Sequence, residues 1–409
     1  MTSVCIVADD FFPATLPPEA KINTELARVL AETCEPVHVF AGHGAAAPPG
    51  AALIRLACGL TDGSLVTTFR LARAVLESGA QTVIVMFNAY SYGHRPWISL
   101  LPLMLRYCTG YRGEVVVHFT NEQPVPFGRQ FSRGLRLLEA LGIRYLDRRV
   151  GGFTAADRLV FYCNHHRNLQ LRGQNRLLRK SVVTPAPLTV EASIAKPQEI
   201  TALRSRLGIS ASTPVILFFG LIYPGKGIED LLQALARLRD RAVDAALLLV
   251  GQSGGVTSNA VWNKACDDYV LQMKTLADNL GLQDRAHWAG HVKDAELGAW
   301  FGVSSVACLP FSGGIRANNS TFAVCAAHGI PVVTTTWDGI DSVFQGPDSG
   351  IELVPCQNPD RLADALEEVL ADSERLSAMS RHIRTVFERY FSWSRFVDVL
   401  LSRSRPEAV

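Results

Sequence analysis

Short apolar segments alternate with amphipathic ones along almost the whole chain. In the first half, the apolar segments predict seven β-strands: Val4–Ala8, Val37–Ala41, Leu53–Leu56, Thr82–Phe87, Glu114–Phe119, Arg158–Tyr162 and Val182–Val183. Apolar positions at helical spacing predict four helices between them: Glu19–Thr33, Thr67–Gly79, Trp97–Tyr107 and Phe131–Leu141. Strands that are apolar on both faces are typical of a parallel sheet covered by helices on each side.

Pro185, Pro187 and Pro197 interrupt this alternation, which then restarts. The second half predicts six strands: Val215–Phe219, Ala246–Val250, Ala286–Trp288, Val306–Leu309, Val332–Thr335 and Glu352–Val354. It also predicts seven helices: Gly227–Arg239, Tyr269–Gly281, Ala295–Phe301, Ser320–His328, Pro359–Ala371, Met379–Tyr390 and Trp393–Ser402. We therefore expect an α/β protein with two Rossmann-like lobes and a cleft between them. The predicted divisions are an N-terminal lobe over 1–187, a C-terminal lobe over 188–385, and a C-terminal helix over 386–409 that packs back toward the N-terminal lobe.

The net charge indicates which binding partners to expect, and the cysteines indicate the cellular compartment. The chain has 409 residues, with 40 Lys and Arg against 38 Asp and Glu. A net charge of +2 excludes a polyanion binder held by bulk charge, so no nucleic-acid partner is expected. The nine cysteines are scattered and contain no CxxC pair, which indicates a reducing, cytoplasmic location.

The positive charge is concentrated in one stretch. Between Arg129 and Lys180 there are twelve basic residues and three acidic ones. One interpretation is a solvated, arginine-rich surface. The other is a basic lobe that faces an anionic membrane or a phosphorylated acceptor.

The first segment that could carry chemistry is PVILFFGLIYPGKGIEDLLQAL. From Gly220 to Lys226 it has the text GxxxxGK, which opens a phosphate-binding P-loop. Gly227 stands where a P-loop needs Ser or Thr for magnesium. The alternatives are an anion-binding lysine on a glycine-containing loop after a strand, or a tight turn with a solvated lysine.

The second such segment is ACLPFSGGIRANNSTFAVCAAHGIPVVTT. A strand leads into a glycine-containing loop and then into a helix from about Ser320, with Asn319 or Ser320 as the N-cap. If the cap side chain turns away, the amides of Asn319, Ser320 and Thr321 form a site for phosphate oxygens. An ordinary capped helix is the alternative.

Together the two segments resemble the second lobe of GT-B glycosyltransferases, and the closest resemblance is to the retaining family 4. The text GLIYPGKG, followed about ninety residues later by the PF-loop-helix-HGIPVVTT pattern, carries the resemblance. The resemblance implies a donor diphosphate held by Lys226, in the loop after Gly220, and by the start of the Ser320 helix. In our hypothesis the sugar hydroxyls are bound by Asn318, Asn319 or Ser320. It also implies a nucleoside base against Gly290, His291 and Val292. The family needs no metal and no cofactor besides the nucleotide sugar.

Three positions depart from the family pattern. The family carries two glutamates spaced E-x7-E, one for the sugar and one for the ribose, and these positions are Arg316 and Val324 here. The arginine that usually follows the first glycine is replaced by Leu221. Our hypothesis is that Arg316 replaces that missing cation, so that two positive charges face the diphosphate.

Several polar residues follow the predicted strands of the first lobe. Asp10 follows the first strand, and Asn88, Tyr90 and Tyr92 follow the fourth, which predicts an acceptor site formed by these four residues. Three residues nearby are candidates for catalysis alongside Lys226 and Arg316, either as a base or as a hydrogen-bond partner: His94, His118 and Glu122.

The sequence thus predicts a retaining, metal-independent hexosyltransferase that uses a nucleoside diphosphate sugar in the assembly of polysaccharides, glycoconjugates or secondary metabolites. The acceptor is a lipid-linked sugar or a small metabolite. A peripheral contact with the inner face of the membrane through the basic N-terminal lobe is also expected. The alternatives are a catalytically silent GT-B binding subunit and a P-loop-like NTPase.

Overall fold

The computed structural model describes residues 3–13, 18–127, 146–188, 192–254 and 260–402. These residues form two compact units. The first unit contains the described residues up to Pro185 and those from Trp393 onward, and the second is Ala186–Ser392. The predicted helix Phe131–Leu141, with part of the basic stretch, lies outside the described residues.

The first unit is built on a parallel sheet of seven strands in the order β3-β2-β1-β4-β5-β6-β7. The strands are β1 Val4–Ala8, β2 Val37–Ala41, β3 Ile54–Cys58, β4 Thr82–Phe87, β5 Glu114–Phe119, β6 Arg158–Phe161 and β7 Ser181–Val183. The described helices of this unit before Pro185 are α1 Pro18–Thr33, α2 Leu65–Glu77, α3 Leu101–Met104, α4 Asn164–Gln170 and α5 Asn175–Leu178. Leu71 and Val75 of α2 are fully buried in the core with alternate residues of β1, β4 and β5.

The second unit has a parallel sheet of six strands in the order β10-β9-β8-β11-β12-β13. The strands are β8 Val215–Phe219, β9 Ala246–Val250, β10 Ala286–Gly290, β11 Val306–Leu309, β12 Val332–Thr336 and β13 Ile351–Pro355. The helices are α6 Pro197–Leu207, α7 Ile228–Asp240, α8 Ala260–Asn279, α9 Leu297–Gly302, α10 Ser320–Ala327, α11 Pro359–Ala371 and α12 Ser373–Val386. In both sheets the central strands are buried apolar runs, as strands covered on both faces must be.

The last helix, α13 Trp393–Leu400, is part of the first unit. Arg158 on β6 donates hydrogen bonds to the carbonyl oxygens of Val399 at 2.6 Å and Leu400 at 2.7 Å, and these bonds hold the carboxyl end of α13. The predicted start of this segment, residue 386, is too early. Phe391 packs on Phe322, at 5.1 Å between ring centroids, and therefore stays in the second unit.

The predicted α/β architecture is confirmed, and each described strand lies within two residues of its predicted bounds. The boundary near residue 187 falls between Pro185 and Ala186, because Ala186 N donates to Ala317 O of the second unit at 2.9 Å. The predicted helix Trp97–Tyr107 is instead a 3-10 turn, the short α3 and a π-turn. No helix in the described parts of the chain is long and apolar enough to cross a membrane.

Candidate functional site

Three glycine-containing loops meet at the carboxyl ends of β8, β9 and β11. Gly220 has φ +125°, and a Cβ there would lie 2.8 Å from Thr321 Oγ1. Gly227, with φ +70°, would place a Cβ 1.8 Å from Pro310 O. Only glycine fits at such positive-φ close approaches, so the loop that carries Lys226 is held tightly against the start of α10.

Lys226 lies in this loop and is buried, with 8% of its surface exposed. Its Nζ is 4.7 Å from the ring centroid of Tyr223 and 4.9 Å from that of Phe311. Burial lowers the pKa of Lys226 to about 8. No carboxylate of the described residues pairs with it, so the arrangement favours an anionic ligand.

The loop Gly290–Val292 follows β10, at the same edge of the sheet. Gly290 has φ +66°, and its carbonyl oxygen accepts a hydrogen bond from Gly251 N at 2.9 Å. His291 is exposed, whereas Val292 is buried. The predicted base-binding loop therefore lies beside the end of β9, next to the strand that leads to Lys226.

The N-terminus of α10 has a side-chain cap. Asn319 Oδ1 accepts a hydrogen bond from Phe322 N at 3.1 Å, so this side chain does not turn away from the helix. The first amides of a helix have no acceptor within it, which leaves those of Ser320 and Thr321 suited to a ligand oxygen. Asn318 precedes the cap and is half-buried.

Arg316 lies four residues before α10 and stacks on an aromatic ring. Its guanidinium carbon is 5.0 Å from the ring centroid of Trp337, and its buried Nε has no hydrogen-bond partner. Val324, eight residues further on, is buried inside α10 and offers no acceptor. Among the described residues, no carboxylate pairs with either Lys226 or Arg316.

At the carboxyl edge of the first sheet, Asn88 is the centre of a hydrogen-bond network. Its Nδ2 donates to Glu19 Oε1 at 2.8 Å, and its Oδ1 accepts from Tyr90 N at 2.9 Å and from Asn121 Nδ2 at 2.7 Å. Burial, together with the nearby charge of Asp10, raises the pKa of Glu19. Glu19 is a member of this polar group that the sequence reasoning missed, because it lies on α1 rather than after a strand.

The remaining polar candidates of the first unit lie at its surface. His94 is exposed in a loop, with φ +55°, and its ring is 6.2 Å from that of Tyr90. Glu122 lies 3.5 Å from His165 Nε2 and 3.8 Å from His166 Nε2. Asp10 accepts a hydrogen bond from Ser91 Oγ.

Two predicted site residues are core residues instead. The hydroxyl of Tyr92 is buried and donates to Met86 O at 2.7 Å. His118 is fully buried on β5, with its ring 4.3 Å from that of Tyr162, and burial lowers its pKa to about 3. Both side chains are fully buried, so the structure gives no support to a contact between either of them and a substrate.

The comparisons with known proteins agree with this arrangement. Residues 213–372, all in the second unit, match the family model described as Glycosyl transferases group 1. The chain is 30% identical over 205 residues to a D-inositol 3-phosphate glycosyltransferase of Xylanimonas cellulosilytica, a match that covers 49% of this chain and 44% of the relative. It is 28% identical over 195 residues to a GDP-mannose-dependent alpha-(1-6)-phosphatidylinositol monomannoside mannosyltransferase of Mycobacterium tuberculosis, covering 46% of each. The chain spans about half the length of the curated relatives that it matches.

Solved structures resemble the whole chain. The structure of Anabaena Alr3699/HepE in complex with UDP and glucose has a TM-score of 0.65 at 15% identity and covers 99% of this chain and 100% of its own. A glycosyltransferase from Rickettsia africae has a TM-score of 0.68 at 14% identity, covering 98% of this chain and 99% of its own. The fold is therefore GT-B, with two Rossmann-like units. Similarity to the group 1 glycosyl transferases is shown for residues 213–372, a segment that includes the Gly220–Lys226 loop with its P-loop-like text.

Proposed function

We propose that this protein is a retaining, metal-independent glycosyltransferase that moves a hexose from a nucleoside diphosphate sugar to an acceptor hydroxyl. The observation that carries the proposal is Lys226, a buried ammonium group at the carboxyl edge of the second sheet that no carboxylate in the described part of the chain pairs with. In open α/β sheets, ligands bind at this edge. The match of residues 213–372 to the group 1 glycosyl transferases supports the same conclusion.

The donor would lie along the edge of the second sheet. The base would rest against Gly290–Val292, and the diphosphate would contact Lys226 and the free amides of Ser320 and Thr321. Gly220 has no side chain to obstruct the ligand, and Asn318 lies just before the cap. A lysine and a helix N-terminus together favour a phosphate at this position.

In the reaction, the bond between the anomeric carbon and the leaving phosphate oxygen breaks as the acceptor oxygen bonds to that carbon. Negative charge grows on the departing diphosphate while the sugar gains oxocarbenium character. Lys226 is fixed between two rings in a poorly solvated position, so it stabilises that charge more in the transition state than in the ground state. With retention, the leaving oxygen and the acceptor lie on one face of the sugar, and the departing phosphate can take the hydroxyl proton.

For the acceptor, we propose the polar edge of the first unit, with Asp10, Asn88 and Tyr90 as contacts. The acceptor would be a lipid-linked sugar or a small polyol. The names of the relatives, which include inositol 3-phosphate and phosphatidylinositol monomannoside, fit such a hydroxyl-rich molecule. A cytoplasmic protein with peripheral contact to an anionic membrane is part of the proposal. Salt-dependent sedimentation with anionic vesicles tests that contact.

The first test is thermal unfolding of the purified protein with UDP, GDP, TDP, ADP or CMP, and with ATP and magnesium. A ligand at 100 times its dissociation constant adds about 2.7 kcal/mol to the free energy of unfolding. We expect one diphosphate to stabilise the protein, Lys226→Ala to remove that effect, and Lys264→Ala, at a side chain with 77% exposure, to leave it unchanged.

Turnover is then tested with the sugar nucleotide of that base, with and without EDTA, and the anomeric configuration of the product is determined by NMR. Stabilisation only by magnesium-ATP would instead support an NTPase. Binding without turnover would support the silent GT-B subunit, which the replacement of both family glutamates by Arg316 and Val324 keeps as the second candidate.

A further inference from the structure

Arg316 carries a positive charge that the described residues leave uncompensated. Its side chain is half-buried, its guanidinium stacks on Trp337, and its buried Nε has no hydrogen-bond acceptor. No carboxylate of the described residues pairs with it. A partly desolvated charge without an acceptor destabilises the free protein, which is typical of a group held for a ligand.

The loop around Arg316 is fixed from several sides. Trp337 Nε1 donates to Ile315 O at 3.0 Å, and Ala317 N donates to the carboxylate of the buried Asp341 at 3.0 Å. Gly314, with φ +74°, lies so close to Trp337 that a Cβ would approach its ring at 2.4 Å. The backbone on both sides of Arg316 and the ring on which its guanidinium stacks are therefore held in place before any ligand arrives.

Arg316 and Lys226 are at different points along the edge of the second sheet. Ile315 N donates to Thr335 O at 2.9 Å, so the segment of Arg316 lies on the end of β12, whereas Lys226 follows β8. The strand order is β10-β9-β8-β11-β12, with strands spaced by about 4.8 Å, and Lys226 Nζ lies 4.9 Å from the ring centroid of Phe311, which follows β11. Arg316 is thus on the side of Lys226 that faces away from the loop after β10.

The order of the strands indicates which part of the donor Arg316 contacts, provided that the donor lies as in the proposed function. With the base at Gly290–Val292 and the diphosphate at Lys226, the sugar of the donor extends toward β12. Lys226 and the amides of α10 already compensate the diphosphate. A guanidinium is planar, always charged and suited to paired hydrogen bonds with a carboxylate. We infer that the transferred sugar carries a carboxylate, as a hexuronic acid does, and that Arg316 binds it.

The test compares two series of ligands by isothermal titration calorimetry. One is UDP, UDP-glucose and UDP-glucuronate, and the other is GDP, GDP-mannose and GDP-mannuronate. In the series that binds, we expect the uronate to bind at least about tenfold more tightly than the neutral sugar. Arg316→Gln should remove most of that preference and change the affinity for the nucleoside diphosphate by less than about twofold. Arg381→Gln, at an exposed arginine of the same unit, is the matched control for charge.

The outcomes separate this inference from the proposed function. Equal affinity for uronate and neutral sugar, or an equal loss for all three ligands of a series in Arg316→Gln, overturns the inference and leaves the glycosyltransferase proposal standing. In the second case Arg316 binds the diphosphate. If no nucleoside diphosphate or its sugars bind to the wild-type protein, both proposals are wrong. Circular dichroism of Arg316→Gln and Arg381→Gln establishes that each variant is folded.

Discussion

Replacing Lys226 with methionine should stabilise the protein without ligand and abolish nucleotide binding. Methionine keeps most of the side-chain length and removes the charge. Burial lowers the pKa of Lys226 from its ordinary value of 10.5 to about 8, which corresponds to a cost of roughly 3 kcal/mol for holding the charged form in the folded protein. The attraction to the rings of Tyr223 and Phe311 offsets about 1–2 kcal/mol of this. We therefore expect a net gain of roughly 1–2 kcal/mol in the free energy of unfolding at pH 7.

The pH dependence of the free energy of unfolding tests whether the charge of Lys226 destabilises the folded protein. Between pH 8 and 10.5 the unfolded chain keeps the Lys226 proton that the folded chain has lost, so the stability of the wild type rises with pH in that window. The stability advantage of Lys226→Met over the wild type should therefore be largest below pH 8 and should decrease steadily as the pH rises toward 10.5. Urea denaturation at pH 7, 8, 9 and 10 measures this difference in the free energy of unfolding, with Lys264→Met as the control for loss of an exposed lysine.

Binding of the diphosphate has the opposite pH dependence, because it requires the protonated lysine. About one tenth of the free protein keeps that proton at pH 9, so affinity should fall about tenfold between pH 7 and pH 9. A variant that is less stable than the wild type at pH 7, or a stability gap that does not change with pH, would refute the account of Lys226 as a desolvated, ligand-directed cation.

Three further predictions concern other parts of the fold. Gly227→Ala places a Cβ against Pro310 O at a positive φ, and should cost at least about 2 kcal/mol in urea denaturation and weaken nucleotide binding. His118→Phe should keep activity, since neither ring nitrogen of His118 has a hydrogen-bond partner among the described residues. The variant should also lack the decrease in stability that the wild type shows as the pH falls from 6.5 toward 3. A large loss of turnover at unchanged stability would instead support His118 as a catalytic residue. Arg158→Met should cost about 1–3 kcal/mol and expose α13 to limited proteolysis, because it removes the two bonds to the end of that helix; unchanged protection would contradict this role.

The strands illustrate how far a pattern of apolar residues determines structure. β1 and β8 are short apolar runs bounded by polar or glycine residues, so their bounds follow from burial on both faces of a sheet. The predicted helix Trp97–Tyr107 is wrong as a continuous helix because Pro96 and Pro102 remove backbone donors there, and the chain passes through 3-10 and π-turns instead. The short helix α5 has too few residues for periodicity to reveal it.

The candidate site was likewise predictable from the sequence only in part. Its loops could be located from the sequence, because glycine, lysine and helix-capping residues after apolar strands are local signals. His118 and Tyr92 show the limit of that reasoning. Both residues stand near the carboxyl end of a strand. Whether a side chain there is exposed depends on what packs against its face of the sheet. His118 is covered by Phe396 of α13, which comes from the far end of the chain.

By itself the sequence determined the two-unit α/β organisation, the order of the strands along the chain, and the loops that could bind an anion, because these depend on periodicity and on residues close together in the chain. Only the tertiary structure decided the electrostatic character of the site. The pKa of Lys226 depends on Phe311 and on burial by segments far away in the chain, and the uncompensated charge of Arg316 depends on its place over Trp337 at the end of β12. Desolvation and the absence of an acidic partner are properties of a packed neighbourhood in three dimensions, which residue order alone does not specify.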